Sequence, residues 1–209
     1  MDNYIESYSF TGLNGVNQDI VVTERIDEDT CVSILIDGMG AYKDSGDIAN
    51  LISKVLLSDI KANIGIDYNK LLINAIDSAN KAVKEYLYQH RCKAGATLAI
   101  FVQHKAMAYI SWLGDVRIYS LREGKLALLT DDHKVDENLV IRSINGKEFA
   151  QTPPYKVINI IPKDQFILCS DGIYNILTNE EIISLRYNIE NYNNMQFVDD
   201  ASIIYISCT

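Results

Sequence analysis

The spacing of apolar residues changes period several times along this chain. Residues 4–10 and 18–25 alternate loosely and carry Val, Ile, Tyr and Thr, and TCVSILI at 30–36 is a denser apolar run, so three early strands are predicted. TGLNGVN, between the first two, is a Gly/Asn turn segment. Ile48, Leu51, Ile52, Val55 and Leu56 then recur at helical spacing, predicting a helix from about Ile48 to Ile60. A second helix is predicted from about Asn69 to Gln89, where Leu72, Ile73, Ile76, Ala79, Val83, Tyr86 and Leu87 share one side. Beyond it the pattern returns to strands: ATLAIFVQ, KAMAYISWLG, VRIYSLREG and KLALLTDD, with Gly124 able to take a positive φ in the turn REGK. Strands near 155–161 and 166–170, a helix pair around 172–187 and a last strand, SIIYISC, complete the reading.

Strands, two helices, many strands, helices, one strand: this order predicts an α+β domain with antiparallel sheet and helices covering its faces, not the alternation of a parallel βαβ fold. No internal repeat, low-complexity tract or domain boundary interrupts it. Pro153–Pro154 marks a loop within the domain, and residues 1–209 are expected to form one unit.

Composition narrows the function classes. The chain has 209 residues, 48% of them hydrophobic, with 3 Pro and 11 Gly, enough for a large buried core. Lys+Arg number 19 against 28 Asp+Glu, a net charge of −9, which would repel nucleic acid and an anionic membrane surface. Neither is expected as a partner. CVSILI and LAIFV have the length of buried strands rather than of membrane spans. MDNYIESYSF lacks the features of a signal peptide, so a cytoplasmic protein is expected. Cys31, Cys92, Cys169 and Cys208 form no CxxC pair; Cys31, Cys169 and Cys208 read as small core residues.

The chemistry lies in where aspartates fall relative to strands. Asp37 ends a buried run and precedes Gly38, and Asp171 ends FILCS and precedes Gly172. Asp115 follows Gly114 at the close of AYISWL, Asp199 and Asp200 precede the last strand, and Asp19 opens the second. Aspartates at strand ends can converge on one rim, and unpaired carboxylates there repel one another unless a cation intervenes. Hard oxygen ligands select Mg²⁺ or Mn²⁺. Asp-Gly is also a common turn dipeptide, and spacing alone leaves both readings open.

Taken together, GLNGVNQD (12–19), ILIDGMG (34–40), GDIAN (46–50), GATLAI (95–100), WLGDVRIY (112–119), LTDDH (129–133), NLVIRSING (138–146), FILCSDGIYNILTNEEI (166–182) and DDASIIYI (199–206) resemble the metal-dependent Ser/Thr protein phosphatases of type 2C. DGMG is similar to the bacterial branch. The resemblance implies a four-layer α-β-β-α fold, two central antiparallel sheets flanked by helices. It also implies a phosphorylated protein substrate, the product of a Ser/Thr kinase. Carried over, Asp37 resembles the aspartate bridging two Mg²⁺ or Mn²⁺ ions, and the Gly38 carbonyl a ligand of one. Asp171 and Asp199 match ligands of the other ion. Asp19 resembles the outer aspartate that orients waters, and Asp115 the one that, with Asp171, holds a third, weaker ion. Cations about 3.5–4 Å apart acidify a bridging water to a hydroxide that attacks phosphorus in line, with no covalent phosphoenzyme.

The chain also departs from the pattern. Asn14 stands where relatives often have a phosphate-gripping Arg, whose charge an amide does not supply. Lys43 or Arg25 could provide the missing cation; otherwise a phosphoprotein-binding pseudophosphatase is the competing reading. Gln18 replaces a common Glu, Met39 cannot protonate a leaving group, and Asp200 replaces a common Asn, where it could tighten the metal site or only solvate a turn. His133 reads as structural. Near 134–138 the chain is missing the usual flap, which predicts a more open site.

Overall fold

The computed structural model describes residues 3–39, 44–65, 67–136, 139–193 and 195–209. The chain opens with strands β1 (Asn3–Phe10), β2 (Ile20–Arg25) and β3 (Thr30–Gly38), followed by helices α1 (Ser45–Ala62) and α2 (Tyr68–His90). Six strands follow: β4 (Ala96–His104), β5 (Met107–Leu113), β6 (Arg117–Arg122), β7 (Lys125–Leu128), β8 (Tyr155–Asn159) and β9 (Gln165–Cys169). Short helices α3 (Asp171–Tyr174), α4 (Asn179–Ser184) and α5 (Ile189–Tyr192) precede the last strand, β10 (Ala201–Cys208). The strands form two five-stranded antiparallel sheets, ordered β1-β10-β9-β6-β7 and β2-β3-β4-β5-β8.

Alternation along the central strands builds three apolar layers. In β3 and β4, Val32, Ile34, Ile36, Leu98, Ile100 and Val102 face α1 and α2, meeting Ile48, Ile52, Leu56, Leu72, Ile76 and Val83. Their neighbours Leu35, Ala99 and Phe101 point the other way, onto Ile118, Phe166, Leu168, Ile204 and Ile206 of the second sheet. The outer face of that sheet, through Tyr119, Ile167, Cys169, Ile203 and Tyr205, packs on Ile173, Leu177, Ile182 and Leu185. Helix, sheet, sheet, helix is thus the order of layers. Strands buried on both faces lose their polar alternation, which is why TCVSILI and FILCS read as unbroken apolar runs.

The predicted turn at REGK forms with Glu123 and Gly124 both at positive φ, 51° and 76°, the backbone of a tight hairpin. Cys31, Cys169 and Cys208 are buried and free, as their apolar surroundings predicted. The region around 172–187 is not a simple helix pair. A four-residue turn, a second helix with a Thr178–Glu181 capping box, a 3-10 turn at Leu185–Tyr187 and α5 replace it.

Between β7 and β8, the described residues contain no helix and no strand beyond isolated bridges Ala96↔Ile144 and Lys134↔Val140. Side chains nevertheless fasten this strap. Asn80 accepts from the Gly146 amide at 2.9 Å and donates to the Lys147 carbonyl at 2.6 Å. The Arg142 guanidinium donates to the carbonyls of Gln151 and Thr152, each at 2.9 Å. Residues 137 and 138, inside the predicted flap deletion, lie outside the described residues.

Candidate active site

Antiparallel pairing gathers the aspartates at one end of the sandwich. β2 begins just after Asp19 and β3 finishes around Asp37; as antiparallel neighbours, with Ile20 opposite Ile36, they bring these two carboxylates to the same edge. In the other sheet β9 ends before Asp171 and β10 begins after Asp199 and Asp200, and Cys169 pairs with Ile203. Asp115 sits where the chain crosses between the sheets, from β5 to β6. Five stretches distant in sequence therefore meet at one rim.

Electrostatics register this convergence. Asp37 is pushed well above the usual carboxylate range, first by desolvation and then by the charges of Asp19, Asp171, Asp115 and Asp199. Asp19 rises to about 7 and Asp171 to about 6, desolvation again leading, with Asp200 and Asp171 acting on the first and Asp115 and Asp199 on the second. Asp115 is also raised, by burial, against the pull of Lys134. Among the described residues, like charges crowd here with few cations to balance them.

Hydrogen bonds separate braces from open groups. Asp19 Oδ2 accepts from Ser170 Oγ at 2.8 Å, while Oδ1 is buried and has no hydrogen-bond partner among the described residues. Gln18 Oε1 is likewise buried and unpartnered. Asp200 has the opposite fate: Oδ1 accepts from the Gly12 amide at 2.8 Å and Oδ2 from the Gln18 amide at 2.7 Å. Of the two roles open to it in the sequence, Asp200 takes neither; it ties the 12–18 loop to β10. Two glycines are required by close packing. A Cβ on Gly172 would fall 2.2 Å from the Asp200 carbonyl oxygen, and one on Gly38 would fall 2.9 Å from that of Gln18.

A second polar layer lies beneath. Arg117 donates a fork to Asp132, Nε to Oδ1 at 3.1 Å and Nη2 to Oδ2 at 2.8 Å, and its guanidinium lies 3.6 Å over the Tyr174 ring. The Tyr174 hydroxyl donates to the Asp115 carbonyl at 2.9 Å. His133 accepts at Nδ1 from the Gly114 amide, its own amide bonds the Gly114 carbonyl at 2.9 Å, and burial beside Arg142 holds its pKa down. These contacts fit the structural role expected of it.

The proposed phosphate anchors fare differently. Asn14 is exposed in the turn after β1. Lys43 lies outside the described residues, as do Gly40 and Ala41. Arg25 is excluded: it ends β2, roughly 20 Å of strand from Asp19 at about 3.3 Å per residue, and bonds the Glu28 carbonyl. The sequence reading missed Ser170, Asp132 and Lys134. Asp132 and Lys134 had one available signal, their place in and just after LTDDH, but nothing local named their partners.

The residues suit divalent cations by donor chemistry, being all oxygen, and by the unpaired Asp19 Oδ1. Among the described residues no three His, Cys, Asp or Glu side chains close around a single point. Mg²⁺ sites of one or two carboxylates completed by water do not require that closure.

The sequence profile of protein phosphatase 2C matches residues 11–201, and the chain belongs to this family. The serine/threonine phosphatase stp of Listeria welshimeri is 27% identical over 176 residues, covering 72% of this chain and 69% of its own. The serine/threonine phosphatase PstP/Ppp of Mycobacterium tuberculosis superposes with a TM-score of 0.86 at 20% identity, over 99% and 98% of the two chains. A PstP catalytic domain, solved with two manganese ions, gives 0.85 at 21% identity over 98% and 97%. The fold expected from the sequence, two central antiparallel sheets flanked by helices, is the one found.

Proposed function

We propose that this protein is a metal-dependent phosphatase acting on phosphoserine and phosphothreonine in proteins. The observation that carries this reading is the gathering of Asp19, Asp37, Asp115, Asp171 and Asp199 at one rim, with a buried carboxylate oxygen left unpaired. Membership of the phosphatase 2C family and the names of the relatives support it. The two manganese ions of the PstP structure support Mn²⁺ or Mg²⁺ as the cofactor.

Asp37 and the Gly38 carbonyl would hold ions on one side, with Asp171 and Asp199 on the other. When bound, two such ions acidify a water and offset the charge developing on the attacking and leaving oxygens. Asp19, braced by Ser170 through Oδ2, would orient waters beside the ions with its other oxygen. Lys43 and Asn14 are proposed contacts for the substrate phosphate. The substrate would be the product of a Ser/Thr kinase. One domain over 1–209, with the flap shortened near 134–138, would leave the site open to folded phosphoproteins.

No helix of the described residues is long and apolar enough to cross a membrane. The free buried thiols fit the reducing cytoplasm, where we place the protein. The exposed Asn14 favours one competing reading, a module that binds phosphoprotein without turnover.

Hydrolysis of p-nitrophenyl phosphate and a phosphothreonine peptide, with Mn²⁺ and with chelator, beside Asp171→Asn, separates the two. The phosphatase reading predicts activity lost on chelation and in the variant. Peptide binding without chelator-sensitive turnover would establish the module instead.

A further inference from the structure

The rim contains a cation of its own. Lys134 Nζ stands 3.8 Å from Asp115 Oδ2 and 3.7 Å from Asp132 Oδ2, and 5.3 Å over the ring of Tyr174. Its side chain is 18% exposed, so it is packed in place rather than solvated. Among the described residues it is the one cation within 4 Å of a carboxylate of the proposed set. Its surroundings hold it there from three directions. Asp132 is fixed by the Arg117 fork, Tyr174 is tied to the Asp115 backbone, and Lys134 itself bridges Val140 one residue after His133 bonds Gly114.

Lys134 also acts on Asp171 through its charge. Its charge opposes the rise of that carboxylate, and Tyr174 lies on the helix that Asp171 begins. A divalent ion on the Asp115 carboxylate would share that group with an ammonium already 3.8 Å from it, a repulsive arrangement in a partly buried site.

We propose that the Lys134 ammonium takes the place of a third divalent cation between Asp115 and Asp171, so that this site works with two ions. The inference rests on the metal-dependent reading above. Lys134 is a positioning residue: it offsets the charge of Asp115 and holds that carboxylate away from ion binding, leaving Asp37, Asp171 and Asp199 to the two resident ions.

The test is Mn²⁺ stoichiometry, by equilibrium dialysis and elemental analysis of the purified protein, with circular dichroism to verify folding. Wild type is expected to take up two equivalents. Lys134→Ala should gain a third, weaker equivalent that disappears in Lys134→Ala/Asp115→Asn, while Lys134→Arg stays at two. Lys134→Met, which keeps the aliphatic stem, replaces Lys134→Ala if the latter does not fold. A third equivalent in wild type that Asp115→Asn removes, or two equivalents in folded Lys134→Ala and Lys134→Met, would overturn the inference alone. Absence of bound Mn²⁺ from every form would overturn the metal-dependent reading and this inference with it.

Discussion

Asp19 and Asp200 occupy the same rim and are almost equally buried, 6% and 9% exposed, yet the fold uses them in opposite ways. Asp200 spends both oxygens on backbone amides, of Gly12 and Gln18, and so staples the loop that leads into β2. Asp19 gives one oxygen to Ser170 and keeps the other buried and, among the described residues, unpaired. Burial and acidity alone do not mark a functional carboxylate. Unmet acceptor capacity does, because a buried oxygen without a donor costs free energy that only an arriving proton or cation recovers.

The comparison can be broken from either side. The largest effect is expected on activity from the proposed ion-holding carboxylates: Asp37→Asn or Asp171→Asn should lower Mn²⁺-dependent turnover of a phosphothreonine peptide at least about 100-fold, by loss of an ion ligand. The same variants, melted in chelator, should be no less stable than wild type, since each removes a like charge. Asp200→Ala should act first on stability, costing about 2–4 kcal/mol in urea unfolding, because two charge-assisted hydrogen bonds are lost and two amides are left unsatisfied.

Acidity gives the next effect. Burial and like charge push Asp19 up to about 7 and Asp171 to about 6 when folded, against about 4 for a free aspartate. The folded state therefore holds more protons than the unfolded one between about pH 4 and 7, and stability falls as pH rises through that window. Thermal melts in chelator should show the melting temperature dropping by several degrees from pH 5 to pH 8, with Asp19→Asn flattening the drop. A melting temperature that rises across this range would contradict the charge crowding. Smallest of all, Arg25→Ala should leave KM for the phosphopeptide within about twofold, because Arg25 lies at the far end of β2.

Much of this was legible along the chain. Strand ends and Asp-Gly steps located the open carboxylates, because antiparallel pairing of neighbouring strands turns a position at the end of one and the start of the next into proximity. Asp200 was not legible as a staple: its donors belong to a loop more than 180 residues earlier, and an acidic residue beside a proposed ligand looks like another ligand. Lys134 was hidden for the same reason, its place at Asp115 being set by the Gly114–His133 bonds and the Lys134–Val140 bridge. Arg25, offered only as an available cation, is carried away from Asp19 once β2 is extended. The short helices after Asp171 are below the length at which apolar period can be read; α5 has four residues.

The most direct test of the central claim, that this rim is built to receive divalent cations, is the thermal shift caused by Mn²⁺ at neutral pH. The account predicts a clear rise in melting temperature for wild type and for Arg25→Ala, strongly reduced in Asp37→Asn. No rise in wild type, or an equal rise in Asp37→Asn, would contradict it.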